Sequence, residues 1–318
     1  MGGSGGCRSP SSSGTAGETQ MTIAMDRAST LTREGTTFEG PLAPGGGSTD
    51  GFDTLLGPAG TRYLGSGHRR VQSSLTPSEI ADDGAFIATA RLAYPEDWSI
   101  KSGRRLRPHL STIDALTIAS RAHDEVVAAW CPWLGTFPLE QSLRVRAGAR
   151  PVEDLDEVAV RSVVGAPSRA GAVVVEHTIG SFTVTSEWAA GPQEFDDDPA
   201  GVVADVRLVE PSAVACRYTR SSSIAPMSFL EVLTLTAQMS QVVLYSGDAA
   251  TRERSNNMWM RRASFERLQT RAPRQQELEL RLHNRRVLVV NGEPVETAEV
   301  LAENVFGVYV TASLAMRP

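Results

Sequence analysis

The chain writes one helical segment twice, and that duplication limits the folds open to it more than any other feature. Ser111–Val127, STIDALTIASRAHDEVV, returns as Ser228–Leu244, SFLEVLTLTAQMSQVVL, 117 residues on. Ser111 falls on Ser228, Asp114 on Glu231, Leu116 on Leu233 and Thr117 on Thr234. Each copy opens with Ser and places an acid three residues later, which is the pattern of a capping box at a helix start. Apolar residues then recur at i, i+3 and i+4 and spread around the back face (Ala115, Ile118, Ala119; Val232, Leu235). A helix with so narrow a polar face is buried on most sides. Two buried helices are therefore predicted, one in each copy of a repeated unit.

Shorter matches flank them. Ile87–Pro95 (IATARLAYP) resembles Val203–Pro211 (VADVRLVEP), Arg146-Ala147 resembles Arg262-Ala263, and Ala172–Val175 resembles Val287–Val290, at offsets of 115 or 116. Four segments in one order read as two copies of a strand, a long helix and several more strands. Strands outnumbering a single helix point to an α+β unit, an antiparallel sheet wrapped around the helix, rather than to alternating βαβ units. Residues 1–50 are rich in Gly, Ser and Thr and carry too little apolar surface to fold, so a disordered extension is expected there. The first unit then spans 51–190, a linker holding Asp196–Asp198 spans 191–201, and the second unit spans 202–318.

With 318 residues, 41% of them hydrophobic, the chain has room for two domains of ordinary size. A net charge of −6 argues against general attraction to nucleic acid or anionic membranes, and no apolar run approaches membrane-spanning length. Cys7, Cys131 and Cys216 form an odd set without paired spacing, which reads as free thiols in a reducing compartment. No secretory leader pattern is visible, so a cytoplasmic protein is expected. The spacing of His, Cys, Asp and Glu matches no metal site, and no phosphate-binding loop or nucleophile elbow is present.

The residues able to do chemistry gather before the first helix. His109 stands two residues ahead of Ser111, and an unshifted imidazole titrates near 6.5, the range wanted of a general base. Arg104, Arg105 and Arg107 lead into the same helix N-terminus, where anions bind readily, and are candidates for substrate binding. Asp114 and Glu231 are first of all reciprocal caps and second candidates for catalytic acids, Asp114 ahead because His109 is near. His68 and Arg69 follow the glycines of YLGSGHRRV. Either that loop brings amides and cations to an anion, or it is a glycine turn before an edge strand, and spacing alone favours the turn.

Strands around one long buried helix, in tandem, resemble a double hot-dog fold, two antiparallel sheets each wrapped around its own helix. That resemblance implies acyl thioesters of coenzyme A or acyl carrier protein bound near the helix N-termini, where free amides can polarise a thioester carbonyl. Thr234-Leu-Thr-Ala-Gln238 is similar to the E-A-x-A-Q segment of hot-dog dehydratases, but Thr234 stands at the place of their acid, as Thr117 does in the first copy. Both threonines are carried as substrate-binding candidates, and simple dehydration loses ground.

Three stretches, GFDTLLG from Gly51, YLGSGHRRV from Tyr63 and RPHLSTIDAL from Arg107, are similar to the bacterial avirulence protein D family over roughly Gly51 to Pro318. This resemblance implies a biosynthetic enzyme that joins a β-ketoacyl chain to a ketose or similar polyol, making a small secreted signal of the syringolide type. The activity implied is acyl transfer or condensation, with acyl-CoA or acyl carrier protein as donor, a sugar-like acceptor and no resident cofactor. The chain would act as a monomer or a homodimer. A non-catalytic acyl-binding protein is the alternative, with a thioesterase or dehydratase behind it.

Overall fold

The computed structural model describes residues 51–101, 104–131, 138–166, 171–190, 201–220, 225–246 and 258–316. The expected extension over 1–50 lies outside them, as does the linker apart from Gly201. In the first half, a one-turn α1 (Asp53–Leu56) and two 3-10 turns (Ala59–Thr61, Gly67–Arg70) precede β1 (Gln72–Ile80) and β2 (Phe86–Ala93). A small hairpin, β3 (Ile100–Lys101) and β4 (Arg104–Arg105), leads to α2 (Thr112–Trp130). Then come β5 (Pro138–Arg146), β6 (Val158–Gly165), β7 (Ala172–Ile179) and β8 (Phe182–Ala190). The second half has β9 (Val202–Glu210), β10 (Ala213–Thr219), α3 (Phe229–Tyr245), β11 (Trp259–Arg267), β12 (Gln275–Val290), β13 (Glu293–Val305) and β14 (Val308–Met316).

Twelve of these strands form one antiparallel sheet in the order β1-β2-β6-β7-β8-β5-β11-β14-β13-β12-β10-β9. The second six read as the first six in reverse, and the halves join where β5 pairs with β11, Val145 opposite Ala263 and Leu143 opposite Phe265. The helix α2 packs on β1, β6, β7 and β8, α3 packs on β10, β12 and β13, and the two helices touch. A long buried helix seated on an antiparallel sheet, twice over, is the arrangement the hot-dog resemblance implies. The expected pair of separate sheets is corrected, because one continuous sheet runs through both halves.

Local chemistry explains the elements. Ser111 caps α2 with a complete capping box: its Oγ accepts from the Asp114 amide at 3.1 Å while the Asp114 carboxylate accepts from the Ser111 amide at 3.0 Å. At α3 only the forward half of the expected box forms. Ser228 Oγ accepts from the Glu231 amide at 3.1 Å, but the Glu231 carboxylate accepts from the Tyr218 hydroxyl at 2.9 Å. In β14 every second residue is buried, the period-2 pattern of a sheet with one covered face. Asn291 and Gly292 turn β12 into β13 with positive φ at both, as the Asn-Gly pair predicts.

Two of the sequence matches pair strands that are not equivalent. By sheet order β2 corresponds to β10 and β7 to β13. Ile87–Pro95 lies largely on β2 but Val203–Pro211 on β9, and Ala172–Val175 lies on β7 but Val287–Val290 on β12. The helices do keep the 117-residue spacing. The strands drift because β12 and β13 are 16 and 13 residues long against 8 each for β6 and β7. Short alternating runs of Val and Ala resemble one another at many offsets, so their agreement carried little positional information.

Candidate functional site

The N-terminus of α2 is where most of the sequence candidates meet. Asp114 is 4% exposed, and four donors converge on its Oδ2. They are the Ser111 amide at 3.0 Å, the Ser111 hydroxyl at 2.6 Å, the Tyr63 hydroxyl at 3.0 Å and the Tyr94 hydroxyl. Tyr63 is also 2.6 Å from Ser111 Oγ, and Tyr94 lies 3.0 Å from the His109 carbonyl. A buried carboxylate is tolerable only when its lone pairs are answered by hydrogen bonds, and here the answer comes from three segments far apart in the chain. Burial first, and the Asp114 charge second, push both tyrosines above the ordinary phenol range. Both therefore stay protonated and act as donors.

Segment 51–71 supplies the lid of this cluster. Gly65 packs so closely that a Cβ there would stand 2.5 Å from the Ala59 carbonyl. The amides of Ser66, Gly67 and His68 bond the carbonyls of Ala59, Arg62 and Tyr63. The GSG stretch is thus a turn whose amides are already engaged, as spacing favoured. Arg62, 5% exposed, fixes the segment from beneath. It donates to the Gly57 carbonyl at 2.7 Å, to Asp53 at 2.7 Å and, across to α3, to Gln238 at 2.9 Å. Tyr63 then meets Tyr94, Trp98 and His68 at ring-centroid distances of 6.2, 5.8 and 6.2 Å.

His109 sits at the rim of this cluster, its ring 6.0 Å from that of Trp98. It lines a cavity of about 130 Å³ that reaches from Tyr63 and Ser111 to Leu233, Ala237, Gln241 and Tyr245 of α3. It also lines a second cavity of about 90 Å³ beside Gly148, Phe182 and Met260. His68 is tied back, its Nδ1 3.0 Å from the Tyr63 carbonyl. Burial lowers its pKa, with the Arg69 charge acting in the same direction. The Arg69 charge also acts, weakly, on the Tyr218 phenol of the other half.

The remaining candidates sit elsewhere. Arg107 is exposed and pairs with Glu153 at 2.6 Å, and Arg105 is exposed. The Arg104 side chain lies outside what the structure describes. Thr117 and Thr234 each return their hydroxyl to their own helix, at 2.9 Å from the carbonyls of Ile113 and Leu230. Glu231 belongs to the other helix mouth, with Tyr218 and Ser228. Burial and the Glu231 charge raise the Tyr218 phenol as they do at the first mouth. Sequence reasoning missed Tyr63, Tyr94, Trp98 and Arg62. Tyr63 and Tyr94 were within the quoted stretches YLGSGHRRV and IATARLAYP, and a hydroxyl at each was the available signal.

A sequence model of the Pseudomonas avirulence D protein (AvrD) family matches residues 47–192 and again 193–318, dividing the chain between the halves. The chain belongs to the AvrD family. No curated protein matches the sequence. Among solved structures, the chain of this AvrD-family member is similar to the acyl-CoA thioesterase II TesB2 of Mycobacterium marinum. The identity is 9% with a TM-score of 0.43, covering 76% of this chain and 95% of that one. A conserved hot-dog protein from Alicyclobacillus acidocaldarius gives 9%, 0.42, 77% and 95%. The dehydratase domain of RzxB from Pseudomonas fluorescens gives 11%, 0.39, 76% and 97%. Likeness at this level assigns no chemistry. Among the described residues no helix is long and apolar enough to cross a membrane, and no three His, Cys, Asp or Glu side chains group as metal ligands.

Proposed function

We propose that this AvrD-family chain is an acyl-thioester enzyme that passes a β-ketoacyl group to a hydroxyl of a ketose or similar polyol at the α2 mouth. The observation that carries the reading is the His109 imidazole at the rim of a cavity that opens on the α2 N-terminus, backed by hydroxyls locked on Asp114. Helix N-terminal amides favour the negative charge that develops on a thioester oxygen during attack. In this reading His109 takes the proton of the acceptor hydroxyl as its oxygen bonds the carbonyl carbon. The carbon–sulfur bond then breaks, and the leaving thiolate receives that proton. Asp114 is a positioning residue, holding Ser111, Tyr63 and Tyr94 in place. Membership in the AvrD family and its syringolide-type resemblance support the acyl donor and the polyol acceptor, with coenzyme A or a carrier protein as the thiol.

The second reading is a non-catalytic acyl-binding protein. Thr117 and Thr234, standing where hot-dog dehydratases carry their acid, favour it. Full-length protein incubated with β-ketoacyl-CoA or acyl carrier thioester, with and without a ketose, separates the two. Thiol release that depends on the ketose, with an acylated sugar found by mass spectrometry, is the expected result. Saturable acyl binding with no thiol release would overturn the enzyme reading, and ketose-independent release would reduce it to a thioesterase.

A further inference from the structure

The N-terminus of α3 has a cavity of its own, in the place that corresponds to the α2 mouth. The α2 cavity is lined by Leu233, Ala237 and Gln241 of the facing helix. The α3 cavity is lined by Leu116, Ser120 and Asp124, the same three positions 117 residues earlier. Its volume is about 520 Å³ against about 130 Å³, within the range of small-ligand pockets where the other is below it. Pro226 lines it at the position that corresponds to His109, and none of its described lining residues is a histidine or a tyrosine.

Its polar groups are of another kind. The Arg267 guanidinium lies 4.8 Å from the centre of the Phe229 ring. Its Nε donates to the Glu140 carbonyl at 2.8 Å, its Nη2 to the Met227 carbonyl at 3.0 Å, and its buried Nη1 has no hydrogen-bond partner. Carbonyls orient a cation but do not neutralise it, and no described carboxylate stands within ion-pair distance of Arg267. Glu140 faces the same cavity. Desolvation pushes its carboxyl up to about 8, with the Arg267 charge pulling the other way, so at neutral pH it is a hydrogen-bond donor. Desolvation draws Arg267 down only to about 10, and it keeps its charge. Leu116, Leu139, Leu143, Val184 and Phe229 line the cavity as buried side chains of the core, Arg121 and Asp124 are the other charged residues on its lining, and the Arg220 charge also acts on Arg267.

We propose that the α3 cavity binds a carboxylate carried on an apolar chain, the head at Arg267 and Glu140 and the chain along Leu139, Val184 and Trp188. A planar guanidinium suits a carboxylate, an unanswered donor on a half-buried cation invites one, and the protonated Glu140 adds a donor that an amine head could not use beside Arg267. The inference stands apart from thioester turnover, because its test uses no thioester.

Isothermal titration of the full-length protein with decanoate, decanol and decylamine near neutral pH tests it. Decanoate binds saturably at one site, decanol at least about tenfold more weakly and decylamine not at all. Arg267→Met brings decanoate down to the level of decanol, and Ser120→Trp, which fills the cavity from an exposed helix position, abolishes binding. Raising the pH to about 9 ionises Glu140 and weakens decanoate binding in the native protein. Decanol binding as tightly as decanoate would overturn the proposal, as would a decanoate affinity left unchanged by either substitution. If Arg267→Met fails to fold, the head-group series and its pH dependence on the unsubstituted protein decide alone.

Discussion

The two helix mouths start from one plan and end in different chemistry. Each has a capping serine, an acid at the third helical position and a tyrosine from corresponding strands, just past the end of β2 in one and within β10 in the other: Ser111, Asp114 and Tyr94 at α2, Ser228, Glu231 and Tyr218 at α3. At α2, segment 51–71 folds over the top and adds Tyr63, so the acid is buried and its Oδ2 gathers four donors. At α3 the acid stays half-buried, and the cavity beside it is larger and holds Glu140 and Arg267. Duplication thus set the scaffold, while one appended segment and a few wall residues set what each mouth can bind.

The largest expected effect on that comparison comes from the acids themselves. Asp114→Ala removes the acceptor that the Tyr63, Tyr94 and Ser111 hydroxyls share in a buried cluster, together with half of the capping box, and should cost about 3 kcal/mol or more of unfolding free energy. Glu231→Ala at the more open mouth should cost about 1 kcal/mol. Denaturant unfolding of the two variants measures both, and equal losses would mean that the lid formed by 51–71 does not distinguish the mouths.

A second, smaller asymmetry lies deeper. His123 on α2 is 1% exposed and stacks on Trp188 at a ring distance of 3.8 Å, with both ring nitrogens unpartnered. His177 is fully buried, its Nδ1 2.8 Å from Ser162 Oγ. The position of His123 is taken on α3 by Ser240, whose hydroxyl returns to the Thr236 carbonyl at 2.8 Å. Desolvation lowers His123 to about 3, the His177 charge adding to it, and desolvation lowers His177 to about 4. Both rings are neutral when folded and take up protons on unfolding below about pH 6.5. Their contribution is therefore fully present above that pH. As the pH falls toward 4 it is lost at up to about 1.4 kcal/mol per pH unit for each ring. Hydrogen exchange followed on acidification should show α2 and its strands opening before α3. In His123→Met combined with His177→Gln, this part of the acid slope should flatten, and an unchanged slope would assign acid lability to other groups.

How much of this could be read from the chain depends on the range of the signal. Helix starts are local, and Ser111 and Ser228 marked both to within a residue. Asn291-Gly292 likewise marked its hairpin. Strand equivalence is not local: the match of Ile87–Pro95 with Val203–Pro211 rested on alternation that many strands share, and the longer β12–β13 hairpin moved the true partners out of register. The site was half legible. His109, Asp114 and Ser111 lie within six residues and announce themselves together. Tyr63 becomes their neighbour only once 51–71 folds over the helix, and Arg62 meets Gln238 across 176 residues. Glu140 and Arg267 carry no motif at all; their cavity exists only where the first half's wall faces the second half's helix.

The central claim is that reactivity belongs to the α2 mouth and not to its counterpart. Ketose-dependent thiol release should be measured side by side for His109→Ala and Glu231→Gln in the full-length chain. The account predicts a fall of about a hundredfold or more for the first and a change within about threefold for the second. Equal falls, or a larger one for Glu231→Gln, would contradict it.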